Sequence, residues 1–247
     1  MKRTTKQGQW SDVYSGDVQE HHGKQAATIE RLVGPGLMRV LELGAGGGHI
    51  AAATAALGHR VIAIEIVPAA ARHAQHLATR LPNDSLTVIQ ADFYAVQLSE
   101  CFNVVCYWDG FGIGTDIDQR RLLARIRHWL VPGGCALIDI LTPWYWAATT
   151  GQEMCFGEVT RCYDFDADGC RMLDRWWPTG DEEQAITQSL RCYAPADLRL
   201  LLQGTGLRLA AVEAGGAMDY TTFRYHERVP LHHAMGYTAK LLIDDQS

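Results

Sequence analysis

The 247-residue chain lacks long apolar runs, paired cysteine motifs and clusters of basic residues. No stretch approaches the roughly 18 uncharged apolar residues that a membrane span requires. The first ten residues are polar and basic, and no apolar segment follows them, so we expect no secretion signal. These absences predict a cytoplasmic protein that does not enter a membrane.

The seven cysteines are odd in number, and none stands in a Cys-x-x-Cys pair. This pattern argues against a disulfide framework and against a zinc site, so we expect reduced thiols and no bound metal. Acidic residues outnumber basic residues by 28 to 22, which gives a net charge of −6. Because binding to a phosphate backbone requires a basic surface, nucleic acid is not the expected partner.

Strand-length apolar runs alternate with helical patterns between residues 39 and 140. Before them, apolar positions at helical spacing predict a leading helix over residues 16–33, with Asp17 as a candidate N-cap. The predicted strands cover 39–43, 60–64, 86–89, 103–107 and 136–140, and the predicted helices cover 50–57, 68–80 and 118–130. Such alternation implies right-handed crossovers and a mostly parallel sheet, with ligands at the carboxyl ends of its strands.

After residue 140 the alternation stops. Three strand-like segments, 154–165, 170–177 and 184–192, predict an antiparallel insertion, because an Asp-Gly turn signal separates the first two. A helix over 195–203 and strands over 207–213 and 237–243 follow. Residues 215–236 are predicted to form a long loop, and loops of that length in compact domains are usually functional or mobile.

The strongest motif is VLELGAGGG at residues 40–48, a buried strand pattern that runs into a glycine-rich turn. Glycines there permit a tight turn and let the backbone approach a ligand closely. The dinucleotide fingerprint G-x-G-x-x-G would need a third glycine where His49 stands, so the match to that fingerprint fails. Alone, the turn predicts only a nucleotide-like site.

Acidic residues define this site further. Glu65 closes the second predicted strand 21 residues after Gly44, where a carboxylate accepts hydrogen bonds from both hydroxyls of a ribose. Asp92 follows the third strand and can accept from an adenine amino group, and the next ring, Phe93, can pack on the base. Glu42 and Glu65 would repel a pyrophosphate, but they suit a ligand that carries a sulfonium, an ammonium and no phosphate.

These motifs resemble those of class I S-adenosylmethionine (SAM)-dependent methyltransferases, from about residue 40 to residue 243. Further matching segments are YWDG at 107–110, LVPGG at 130–134, YAPADL at 193–198 and LLQGTGL at 201–207. The resemblance implies an α/β Rossmann-like fold with a seven-stranded, mostly parallel sheet, helices on both faces and an antiparallel β insertion after the fifth strand. We expect a lid helix in 1–35, a SAM-binding domain in 36–142 and 193–247, and a substrate cap in 143–192.

The resemblance also implies where SAM binds. The backbone of Gly44 to Gly46 would hold the methionine part, Glu65 the ribose, and Asp92 with Phe93 the adenine. The full set of implied cofactor-binding residues is Glu42, Gly44, Ala45, Gly46, Glu65, Ile66, Asp92, Phe93, Tyr107 and Trp108.

The acceptor pocket is predicted between the leading segment, the strand ends and the insertion. Tyr14 and His21 are candidate catalytic residues, since their segment folds over the cofactor in the resembling enzymes. Candidate acceptor contacts are Asp109, Trp144, Trp146 and His226. An aromatic-lined pocket suits a small metabolite that is aromatic or amine-bearing. We expect a monomer or a homodimer, and the sequence does not separate N-, O- and C-methylation.

Two alternatives stay open at this stage. The fold and the SAM site also serve other chemistry, such as aminopropyl transfer or a SAM-fold cyclase. A non-catalytic SAM-binding protein is the second alternative, although a cofactor site combined with a substrate lid argues against it.

Overall fold

The computed structural model describes residues 15–82 and 84–244. Its strands are β1 (Arg39–Leu43), β2 (Arg60–Glu65), β3 (Leu86–Gln90), β4 (Phe102–Tyr107), β5 (Leu130–Leu141), β6 (Glu153–Phe156), β7 (Val159–Asp166), β8 (Arg171–Pro178), β9 (Ile186–Arg191), β10 (Leu207–Ala214), β11 (Ala217–Asp219), β12 (Arg224–His226) and β13 (Gly236–Ile243). Its α-helices are α1 (Glu20–Val33), α2 (His49–Ala56), α3 (Pro68–Ala78), α4 (Asp116–Trp129), α5 (Pro143–Ala148) and α6 (Pro195–Leu202).

Seven strands form the central sheet, in the order β10-β13-β5-β4-β1-β2-β3. The pairs β5-β4, β4-β1, β1-β2 and β2-β3 are parallel, whereas β13 runs antiparallel to both β5 and β10. The carboxyl ends of β1, β2 and β4 therefore lie side by side at one edge. The predicted seven-stranded, mostly parallel sheet is confirmed.

Alternate residues of the sheet pack against helices on its two faces. Val40 of β1 belongs to one buried cluster, which includes Ile29 of α1 and apolar residues of α2 and α3. Its neighbour Leu41 belongs to a second cluster on the opposite face, with Leu122 of α4 and apolar residues of α6. Since successive strand residues point to opposite faces, this division confirms helices on both sides.

The insertion is an antiparallel sheet of four strands, in the order β6-β7-β8-β9. The prediction of one strand over 154–165 was wrong, because a turn separates β6 from β7. Gly157 in that turn has a φ of 60°, a left-handed conformation that glycine adopts without steric cost. The predicted turn between β7 and β8 is confirmed, since the Gly169 N–H donates to Asp166 Oδ1 at 3.0 Å.

Two boundaries near the leading helix and α4 differ from prediction. Helix α1 begins at Glu20 rather than at residue 16, so its N-cap is Gln19 and not Asp17. Asp17 instead forms an ion pair with Arg80 at 2.5 Å. Helix α4 begins two residues early because Thr115 caps it: Asp118 N–H donates to Thr115 Oγ1 at 3.2 Å.

The predicted loop over 215–236 was also wrong, because it contains structured elements. Strands β11 and β12 pair as a hairpin, and a short 3₁₀ helix, Leu231–His233, precedes β13. Within residues 15–82 and 84–244, no helix is both long and apolar enough to cross a membrane.

Candidate functional site

The glycine-rich turn leaves the carboxyl end of β1 and opens α2. Gly44 is exposed and has a φ of 61°, and Gly48, which caps α2, has a φ of 79°. A Cβ on Gly48 would lie 2.4 Å from the Ala74 Cβ, so the turn packs directly on α3. A side chain at Gly48 would force the turn away from α3. Gly44 leaves its backbone exposed, so a ligand can approach the turn closely there.

Glu65, at the end of β2, holds the turn in place. The Gly46 N–H donates to its Oε2 at 2.7 Å, and the Val67 N–H donates to its Oε1 at 2.7 Å. Burial raises the pKa of the carboxyl, while these backbone donors oppose that rise. Because a carboxylate has about four acceptor positions, Glu65 can also accept a hydrogen bond from a ligand hydroxyl. The next residue, Ile66, is exposed beside it.

Asp92 and Phe93 follow the carboxyl end of β3. The Tyr94 N–H donates to Asp92 Oδ1 at 2.8 Å, which fixes the orientation of the carboxylate. The Phe93 ring meets the Tyr107 ring edge-on, with centroids 5.6 Å apart. Both rings lie against Gly44, where a Cβ would be 3.2 Å from Tyr107 and 3.9 Å from Phe93. The structure thus brings three strand ends together around the turn, as the sequence predicted.

Glu42 lies inside β1 and faces the Trp108 indole. Its side chain is only 3% exposed, and burial raises its pKa to about 8, although Trp108 opposes that rise. Within the described part of the chain, Glu42 Oε2 and Trp108 Nε1 are both buried without a hydrogen-bond partner of normal geometry. Buried polar groups without hydrogen-bond partners are rare, so these two groups indicate a position where a bound polar ligand supplies the missing hydrogen bonds.

A second acidic pair lies beyond Trp108, at the ends of β4 and β5. Asp109 is exposed, yet the surrounding protein raises the pKa of its carboxyl, and Arg161 opposes this rise. In β5, burial and the charge of Asp109 raise the pKa of Asp139 to about 7, against hydrogen bonds from neutral groups. Asp109 is an acceptor contact predicted from the sequence, whereas Asp139 was not predicted.

A cavity of about 440 Å³ separates α5 from the segment that carries β11 and β12. It brings together the predicted acceptor residues Trp144 and His226, with His232 and His233. Trp144 is fixed there because its Nε1 donates to the Leu231 carbonyl at 3.0 Å.

Trp146 points elsewhere, although it was also predicted to contact the acceptor. Its side chain is 3% exposed and packs edge-on against Tyr163. Its Nε1 donates to the Met235 carbonyl at 2.8 Å. Trp146 is therefore a core residue that joins α5 to the insertion, and it does not line the cavity.

Four histidine rings connect the leading segment to the glycine-rich turn. The centroids of His21 and His22 are 3.9 Å apart, those of His22 and His49 are 4.7 Å apart, and those of His49 and His73 are 5.0 Å apart. His49 Nε2 lies 3.2 Å from the Gly16 carbonyl oxygen. Burial, reinforced by the neighbouring histidines, lowers the pKa of His22 to about 4.

The predicted residue His21 is thus at the exposed end of this stack. Tyr14, the other predicted catalytic residue, lies outside the described residues. The stack places the leading segment beside the turn, where it can cover a ligand. No group of three or more His, Cys, Asp or Glu side chains in the ranges 15–82 and 84–244 is arranged to hold a metal ion.

Comparison with known proteins shows similarity to methyltransferases. Residues 40–134 match the model of the methyltransferase domain family. Among solved structures, the CcbJ methyltransferase from Streptomyces caelestis is 20% identical, with a TM-score of 0.71 and 94% of each chain covered. A SAM-dependent methyltransferase from Clostridium acetobutylicum is 14% identical, with a TM-score of 0.69, and the match covers 97% of this chain and 98% of that one. No curated protein matches the chain.

The glycopeptide N-methyltransferase MtfA is a third similar structure, 21% identical, with a TM-score of 0.61 and 92% of each chain covered. MtfA structures contain SAM, S-adenosylhomocysteine or sinefungin. The resemblance seen in the sequence is thereby confirmed: residues 40–134 match the methyltransferase domain family, and the chain has the fold of solved SAM-dependent methyltransferases. SAM is the cofactor of this class of enzymes.

Proposed function

We propose that this protein transfers the methyl group of SAM to an amine of a small molecule. The observation that carries the proposal is the uncompensated acid at the strand ends. Among the described residues, no lysine or arginine forms an ion pair with Asp109 or Asp139. Acidic groups without a counter-ion favour a cationic ligand, and an alkyl amine is a cation at neutral pH.

The nearby basic side chains are engaged with other groups. Arg161 forms a two-pronged ion pair with Asp174, with N–O distances of 2.6 and 2.7 Å. Lys240 donates to the Leu32 carbonyl at 2.7 Å, and Arg31 pairs with Glu213. The space beside Asp109 and Asp139, which we take as the acceptor cleft, therefore has no basic side chain paired with its carboxyl groups before a ligand enters.

Within this proposal SAM lies across the ends of β1, β2 and β3. The Gly44 to Gly46 backbone and Glu42 receive its methionine part, Glu65 and Ile66 its ribose, and Asp92 with Phe93 its adenine. Tyr107 closes the floor of the site, and Trp108 separates the methionine part from the acceptor cleft. This arrangement directs the methyl group toward Asp109.

The acceptor would extend from the cleft toward Trp144 and His226. Aromatic side chains around that cavity suit the apolar body of a metabolite. Methyl transfer from a sulfonium depends mainly on holding the acceptor close and aligned, so His21 would act by covering the site. MtfA, named as a glycopeptide N-methyltransferase, offers a precedent for an amine acceptor on this fold.

Turnover with paired acceptors tests the proposal. Protein and methyl-labelled SAM are incubated with phenethylamine and, separately, with 2-phenylethanol, and a wider set of amine and alcohol pairs follows. Mass spectrometry identifies each product, and S-adenosylhomocysteine in place of SAM is the blank. We expect methyl transfer to amines but not to their alcohol counterparts. Transfer to alcohols alone, aminopropyl transfer, or SAM binding without any turnover would each contradict the proposal.

A further inference from the structure

Asp139 occupies a position that the predicted SAM site does not use. It lies in β5 one residue after Ile138, which pairs with Tyr107 in the register of the sheet. It therefore shares its level and its sheet face with Trp108. Helix α1 covers this face, since Ile29 belongs to the same buried cluster as Trp108. Asp139 is thus beside the point where the SAM site meets the acceptor cleft.

Two neutral donors hold the Asp139 carboxyl in a fixed orientation. Gln25 Nε2, from α1, donates to Oδ2 at 3.0 Å, and Thr238 Oγ1, from β13, donates to Oδ1 at 2.5 Å. A carboxylate has about four acceptor positions, so about two remain for another donor. A partly buried carboxylate that is oriented but not neutralised is suited to a cationic donor.

The titratable groups around Asp139 supply no positive charge. They are Asp109 after β4, Cys106 within β4, Glu213 in β10 and Tyr225 in β12. Glu213 is itself paired with Arg31 of α1. Cys106 and Tyr225 are uncharged, because burial raises the pKa of each. A cation that enters this position therefore meets the carboxyl groups of Asp139 and Asp109 without a competing positive charge among these groups.

We infer that Asp139 receives the ammonium group of the acceptor and takes its proton. The inference rests on the proposed amine acceptor. In this step the N–H bond breaks, its electron pair stays on nitrogen, and the proton bonds to a carboxylate oxygen, which gives a neutral amine and a neutral acid. The nitrogen pair then forms the N–C bond while the C–S bond breaks and its electrons stay on sulfur. The N-methylated product leaves as an ammonium ion, and Asp139 releases the proton that it accepted to solvent, which restores the carboxylate.

A binding experiment tests this role without turnover. Phenethylammonium is titrated into the protein saturated with S-adenosylhomocysteine, from pH 5.5 to 8.5, by calorimetry. Because the pKa of Asp139 is about 7, its carboxyl is protonated below that pH and must lose a proton to bind a cation. We expect the affinity to fall up to tenfold per pH unit below about 7, and to be constant above it.

Asp139→Asn should weaken binding of phenethylammonium at pH 8 by about tenfold or more and abolish its pH dependence. Asp168→Asn, the same change in the exposed β7-β8 turn, is the matched control and should behave as wild type. The neutral probe 2-phenylethanol should bind both variants and the wild type equally, at every pH. Equal pH dependence in wild type and Asp139→Asn would overturn the inference.

Thr238→Val separates a proton-accepting role from a structural one. The Thr238 hydroxyl lowers the pKa of Asp139, so its loss should move the pH dependence upward by roughly one unit while binding at pH 8.5 is retained. An unmoved profile in a folded variant would contradict the inference. The binding experiment involves no methyl transfer, so its outcome is independent of the turnover experiment. If wild-type binding depends on pH as described but no amine is N-methylated, the proposed function is refuted and the ammonium site at Asp139 is retained.

Discussion

Replacing Glu42 by glutamine removes a buried ionisable group whose ionisation lowers the free energy of unfolding of the ligand-free protein. Burial raises the pKa of Glu42 from its ordinary value of 4.5 to about 8, and one of its oxygens has no partner in the described part of the chain. The unfolded chain has no such burial, so its carboxyl ionises near the ordinary value. The folded protein therefore retains a proton between pH 4.5 and about 8 that the unfolded chain releases.

The sign of the effect follows from this difference in bound protons. Because the unfolded state binds fewer protons in that window, the free energy of unfolding falls as pH rises through it. The interval from 4.5 to about 8 corresponds to about 5 kcal/mol at roughly 1.4 kcal/mol per pH unit. Glu42→Gln cannot ionise and should lose none of this stability.

Urea unfolding of the ligand-free wild type and of Glu42→Gln, from pH 5 to pH 9, measures the difference. We expect the wild type to lose up to about 5 kcal/mol more than the variant across the range. Asp139 also has a raised pKa, but it is present in both proteins and cancels in the comparison. Parallel curves for the two proteins would refute the reasoning. The same variant should bind SAM more weakly by about 1.5 to 3 kcal/mol, since an amide cannot neutralise an ammonium.

Three further changes probe the rest of the site. Glu65→Ala should weaken SAM binding by about 1.5 to 3 kcal/mol in calorimetry, and unchanged affinity in a folded variant would remove Glu65 from the site. Trp144→Ala should lower turnover far more than SAM affinity, and equal losses of both would argue against a place in the acceptor pocket. Gly48→Ala should lower the free energy of unfolding by about 2 kcal/mol or more, because its Cβ would overlap Ala74; a variant as stable as wild type would contradict the close packing of the turn on α3.

The cofactor half of the site could be predicted because its signals are local in sequence. The glycine-rich turn, Glu65 and Asp92 each follow directly after an apolar strand, and a parallel sheet necessarily brings such positions to one edge. The apolar strand pattern also predicted the seven-stranded, mostly parallel sheet. Helix starts were less certain, because α1 and α4 begin where side chains such as Thr115 satisfy free N–H groups, and not where apolar periodicity begins.

Asp139 could not be recognised because nothing in its own segment marks it. One polar residue in an apolar strand normally faces solvent, and the residues that make Asp139 unusual come from α1 and β13. The histidine stack was missed for the same reason. His22, His49 and His73 come from three different helices, and only packing shows that their rings meet.

Burial explains how one site can keep several acids close together when it is empty. At pH 7 the Glu42 carboxyl, with its pKa raised to about 8, holds its proton, and the Asp139 carboxyl, with its pKa raised to about 7, is about half protonated. The empty cleft therefore carries less charge than its composition suggests. A ligand that brings positive charge reverses this balance, since each carboxyl then gains a partner and releases its proton. Binding of SAM and of an amine should therefore both be coupled to proton release, at two separate carboxyls. The carboxyl groups then select ligands by charge, and the aromatic side chains of the cavity, Trp144 and Tyr145, select them by shape.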